Sequence, residues 1–60
     1  MIKSGTTFYD EKNGRYLTPT GVGANPKVWL CEVQEIEDDE LVTVDMQLFA
    51  EGELKKFKEV

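Results

Sequence analysis

Lys27 to Leu48 reads KVWLCEVQEIEDDELVTVDMQL, and the way these residues pair decides the fold. Lys27 to Ile36 predicts the longest strand of the chain, with Trp29, Cys31 and Val33 on one side and Val28 and Leu30 on the other. Apolar side chains on both sides suit a strand that crosses the centre of a small closed sheet. Between Val33 and Ile36 the apolar positions change parity, which predicts a β-bulge at Gln34-Glu35. Glu37-Asp38-Asp39-Glu40 is a solvated turn. The next strand alternates strictly, with Val42, Val44, Met46 and Leu48 facing one way and Thr43, Asp45 and Gln47 the other. The expected hairpin buries Val42, Val44 and Met46 against Cys31, Val33 and Phe8.

Upstream, Thr6 to Asp10 is β-branched and aromatic and predicts a first strand, which meets Arg15 to Thr18 across Asn13-Gly14. Asn-Gly favours a two-residue type I′ turn, because both central residues tolerate positive φ. That register sets Lys12 opposite Arg15, Glu11 opposite Tyr16 and Asp10 opposite Leu17. Two facing basic residues are mildly unfavourable, so a longer loop starting at Glu11 is the alternative. Pro19 should end the second strand, and Thr20 to Pro26, rich in proline and glycine, should be loop. In the tail, Ala50, Leu54 and Phe57 have helical spacing, but Gly52 weakens a helix. A single helical or 3-10 turn around Leu54 and a closing strand from Phe57 to Val60 are expected. Residues 1–60 thus form one all-β domain of five short strands, for which closure into a small barrel removes exposed edges.

Several residues resemble the outline of the Src-homology-3-like small β-barrels of uncharacterised bacterial and phage proteins. In that outline a glycine, an aromatic and an aspartate open the first strand, a basic residue follows the turn, and a Leu-x-x-Phe closes the chain. Here those places are taken by Gly5, Phe8, Asp10, Arg15 and Leu54-Lys55-Lys56-Phe57. The resemblance implies the fold, a five-stranded barrel, more than any activity, since such folds host many unrelated functions.

Composition removes several classes of function. The sixty residues are 40% hydrophobic, with three Phe, two Tyr and one Trp, enough for a small core. No histidine is present, so Ser-His-Asp and Cys-His arrangements are impossible within one chain. Cys31, the single cysteine, has Glu32 as its nearest charged neighbour and reads as a buried, inert thiol. Paired carboxylates would need a cleft that so short a chain has little room to build. Gly21-Val22-Gly23 is glycine-rich like a phosphate-cradling loop, but Pro26 stands where a third glycine belongs, and no strong helix follows. Glu35, Glu37, Asp38, Asp39 and Glu40 lack calcium-loop spacing and offer a weak, unspecific cation site at most. Neither catalysis, a cofactor nor a metal is expected. Met1 to Gly5 has no signal-peptide character, and the longest apolar run, Val28 to Cys31, is far too short to span a membrane. With one unpaired cysteine these features predict a soluble, cytoplasmic protein.

Charge is segregated. The net charge is −5, yet residues 1–27 carry +2, residues 28–54 carry −9 and residues 55–60 carry +2. The central hairpin must therefore present a negative field, with Glu35, Glu37, Asp38, Asp39 and Glu40 at its tip. Solubility is one use of such a field, and steering a basic partner is the other. Tyr9, Tyr16 and Trp29 fall outside if Phe8, Leu17, Leu30 and Val33 fill the core, giving an aromatic face; Trp29 in the core is the competing placement. The expected function is a non-catalytic protein-interaction module, a small bacterial, phage or mobile-element protein that binds another protein through the acidic hairpin or the aromatic face. Two alternatives stand beside it. Nucleic-acid binding is disfavoured by the net charge and would need Lys3, Lys12, Arg15, Lys27, Lys55, Lys56 and Lys58 on one face. A weak homo-oligomer would pair an open strand edge between copies, where otherwise the chain is a monomer.

Overall fold

The computed structural model describes residues 2–22, 25 and 27–60. Strands β1 (Phe8–Asp10), β2 (Arg15–Val22), β3 (Val28–Glu37) and β4 (Glu40–Ala50) precede a single helical turn, α1 (Glu51–Leu54), and the short strand β5 (Lys58–Glu59). All pairings are antiparallel, in the order β4-β3-β2-β1-β5. The helical turn at Leu54 and the strand after it lie where the sequence places them. Within this order β4 and β5 are both edges. No helix among the described residues is long and apolar enough to cross a membrane.

The first hairpin takes the longer loop. Asp10 pairs with Arg15, Tyr9 with Tyr16 and Phe8 with Leu17, leaving Glu11 to Gly14 as the connection. The Asp10 carboxylate accepts from Asn13 N (3.3 Å) and Asn13 Nδ2 (2.8 Å). This ties Asn13 into the loop, and only Gly14 of the Asn-Gly pair takes positive φ, +64°. The two-residue turn with both central residues at positive φ is instead Asp38-Asp39, at 50° and 64°, between the paired Glu37 and Glu40. Aspartate tolerates this region better than most residues.

Pro19 does not end β2. It pairs with Cys31, its carbonyl accepts Gly5 N at 2.9 Å, and the register shifts between Pro19 and Gly21. A bulge of this kind is where a strand tolerates a residue without an N–H. The expected loop therefore starts later than Thr20, since β2 runs to Val22; residues 23, 24 and 26, and with them part of the glycine-rich stretch, lie outside the described residues.

The central hairpin corrects the expected facing. Val33 pairs with Asp45 but Gln34 with Thr43, so the extra residue is Val44 on β4 and not one at Gln34-Glu35. A single inserted residue reverses which side of the strand meets the core. Asp45, Gln47 and Phe49 consequently share the inner side with Val33, Cys31 and Trp29, whereas Met46 and Leu48 share the outer side with Glu32 and Leu30. Of Val42, Val44 and Met46, expected in the core, Val44 and Met46 are 45% and 44% exposed and Val42 is half-buried, while Leu48 further along the strand is 61% exposed. Phe49 is buried in their place, beside Trp29. An aromatic ring removes more apolar surface from water than any one aliphatic side chain of this strand. The core comprises Ile2, Phe8, Leu17, Cys31, Val33, Phe49 and Leu54, with Trp29 and Phe57 packed against it.

Candidate interaction surfaces

Beyond the Gln34–Thr43 pair, β3 and β4 leave the rest of the molecule as a two-stranded arm, which lengthens the fold to 35 × 18 × 16 Å. A pair of strands with nothing packed on either side has little to bury. Accordingly Glu35 to Leu41 are all exposed. The arm places Glu35, Glu37, Asp38, Asp39 and Glu40 together, and no ion pair neutralises them among the described residues. On the side of the arm opposite Glu35, Glu37 and Glu40, Ile36 and Leu41 form a cross-strand apolar pair, also exposed.

The three expected aromatics do not form one face. Tyr9 and Tyr16 are a cross-strand pair, ring centroids 4.9 Å apart and planes inclined by 42°. They occupy the outer side beside a polar chain in which the Thr7 and Thr18 hydroxyls lie 3.0 Å apart and Thr18 Oγ1 donates to Gln34 Oε1 at 2.7 Å. Trp29 lies on the inner side against the core, between Val22 and Phe49 in register. It belongs to the packing, and the outer aromatic face is the tyrosine pair alone.

At the opposite end β5 pairs with β1 and brings the basic termini together. Phe57 separates two open grooves. One, of about 460 Å³, is lined by Phe8, Lys3, Lys55 and Glu59 among others; the second, of about 310 Å³, by Tyr9, Lys12, Lys56 and Lys58 together with the acidic Asp10 and Glu11. Five of the seven basic residues thus gather around one aromatic ring. Charge blocks at both ends of the chain hint at this pole, but only the β1–β5 pairing assembles it. The other two basic residues are elsewhere. Arg15 donates to Asp10 at 3.2 Å and lies 5.9 Å from the Phe49 ring centroid, and Lys27 accepts Glu51 N through its carbonyl at the start of β3.

Cys31 is fully buried with its thiol 3.7 Å from the Trp29 carbonyl, and burial pushes its pKa up to about 11. It should resist an aromatic disulfide reagent in native buffer and react only as fast as the chain unfolds, on a timescale that urea shortens. Fast labelling in native buffer would show that the inner side of β3 opens without global unfolding. Among the described residues no group of three or more His, Cys, Asp and Glu could hold a metal ion. No protein-family model, curated protein or solved structure matches this chain.

Proposed function

We propose that this chain is a non-catalytic protein-interaction module whose acidic arm docks on a basic surface of another protein. The supporting observation is the arm itself, five carboxylates at its tip and along one side and an exposed Ile36–Leu41 pair on the other, with no neutralising cation among the described residues. Carboxylates there raise the encounter rate with a basic partner, and the apolar pair supplies contact area that charge does not. The scaffold in this proposal is a Src-homology-3-like small barrel left open between β4 and β5. The five antiparallel strands and the helical turn ahead of β5 are compatible with it.

A second reading rests on the opposite pole, where Lys3, Lys12, Lys55, Lys56 and Lys58 surround Phe57 and Tyr9. Both rings are half-buried, and cations beside accessible ring faces are the ingredients of sequence-tolerant single-strand binding. One capture experiment separates the two. Tagged protein is incubated with bacterial lysate at about 50 mM and about 500 mM salt, with and without nuclease, beside the doubly reversed variant Asp38→Lys/Asp39→Lys. The expected result is a captured protein that survives nuclease and is lost both at high salt and, by about tenfold or more, in the variant. Capture unchanged in the variant overturns the arm as the docking site. If that capture also disappears with nuclease, the basic pole takes its place.

A further inference from the structure

β4 carries an open edge that its composition does little to protect. From Leu41 to Ala50 its only charged residue is Asp45, and it contains neither proline nor lysine, the usual guards of an edge strand. Which main-chain groups face outward follows from one bond. Glu51 N donates to the Lys27 carbonyl at 2.7 Å, so residue 51 turns its main chain toward β3. Counting back in steps of two, Phe49, Gln47 and Asp45 do the same, while Leu48 and Met46 turn their N–H and C=O groups to the open edge. The side chains of these two residues form an exposed row with Leu30 on the outer side of the sheet.

We propose that β4 pairs antiparallel with β4 of a second copy of this chain, about a two-fold axis at Gln47. The choice of occupant rests on self-complementarity. An axis at Asp45 opposes two carboxylates, and an axis at Leu48 opposes Asp45 to Glu51. An axis at Met46 forces the Val44 bulge into the ladder. The axis at Gln47 sets Met46 opposite Leu48 twice, Asp45 opposite Phe49 and the two Gln47 amides opposite each other, with no like charges facing. Each Met46–Leu48 pair exchanges both of its main-chain hydrogen bonds. The outer apolar rows of the two copies then join across the axis. This surface is separate from the acidic arm, which remains free in the pair.

Asp45 guards the edge. Its carboxylate accepts Met46 N at 2.8 Å and Gln47 Nε2 at 2.9 Å, and must release Met46 N to the second copy. The Gln47 amide and the Met46 N–H hold its carboxyl below the ordinary range, so the guard is charged at neutral pH. Removing it favours pairing.

Single cysteines read the register. Across the axis the two Gln47 residues form a non-hydrogen-bonded pair with Cα atoms about 4.5 Å apart, within disulfide range. Met46 and Leu48 are each displaced from their own copies along the strand. Gln47→Cys should cross-link to a dimer under mild oxidation, whereas Met46→Cys and Leu48→Cys should not. Sedimentation equilibrium should show wild-type mass rising toward that of a dimer with concentration, about tenfold tighter association for Asp45→Ala, and a monomer for Leu48→Lys with unchanged circular dichroism. A wild-type monomer up to about 1 mM overturns the proposal. So does equal cross-linking of all three cysteine variants.

Discussion

Leu17→Ala should remove a large part of the chain's folding stability, whereas Leu48→Ala should be almost silent. Leu17 is 0% exposed and lies between Phe8 and Val33 in the register of three strands, so its side chain seals the centre of the inner side. Truncation there removes about 2–5 kcal/mol, through lost burial and the cavity left behind. A sixty-residue chain has only about 3–9 kcal/mol of total stability to set against that loss. The urea midpoint of Leu17→Ala should therefore fall by about a fifth or more, and at the low end of that stability the pre-transition baseline is lost. The same substitution at Leu48, on the exposed row of β4, should cost less than about 0.5 kcal/mol in a monomeric sample. The contrast tests the facing of the sheet directly. Equal losses at the two positions, or a larger loss at Leu48, would mean that the alternating residues of β4 face the core and that Val44 is not the bulge.

That contrast marks where the sequence is a poor guide. Strict alternation from Val42 to Leu48 identifies β4 as a strand, and the acidic stretch Glu37 to Glu40 locates its hairpin turn. Alternation reports period and not direction. One residue inserted at Val44 exchanges the two sides, and either strand of a hairpin is able to absorb the insertion. The deciding residue is Phe49, which lies beyond the alternating run and whose burial beside Trp29 sets the facing of everything from Asp45 onward. Asn13-Gly14 misleads for a different reason. The intrinsic turn preference of these two residues competes with a carboxylate at Asp10 that takes both the main-chain and the side-chain N–H of Asn13. Pro19 stays in β2 because its missing N–H falls at a bulge, a tertiary circumstance that local propensity does not encode.

The surfaces divide in the same way. An acidic arm is legible because unpaired charges resist burial wherever the strand places them. The basic pole depends on a two-residue strand, β5, joining the two ends of the chain, a contact separated by almost the full length of the sequence. Trp29 is the intermediate case. Its side is settled by its parity with Cys31 and Val33, which the sequence does show, and the structure puts it with them.

Asp10→Asn should destabilise the chain by about 2–3 kcal/mol at neutral pH, close to the effect of a core truncation. Asp10 is 2% exposed, the one charged residue buried in the described part of the fold. It holds its charge through three donors, Asn13 Nδ2, Asn13 N and Arg15 Nε. The Asn13 side chain contributes most to keeping the carboxyl below its ordinary pKa, against the opposing effect of burial, with the Asn13 N–H and Arg15 adding to it. An asparagine there keeps the shape but turns its own N–H₂ toward donors and leaves Arg15, still partly exposed, without a counter-charge. The pH dependence follows from the depressed folded-state pKa. The contribution of the carboxylate is fully present above the unfolded-state value, about 3.9, and is lost as pH falls through the lower folded-state value. Urea unfolding of both chains should therefore show a wide stability gap at pH 7 that is still open at pH 5 and narrows steadily below about pH 4. A gap of constant size down to pH 2 would assign the loss to altered packing of the loop from Glu11 to Gly14. A narrowing gap identifies the Asp10 carboxylate as the group that fixes this loop, and with it the register that carries Tyr9 opposite Tyr16 and Leu17 into the core.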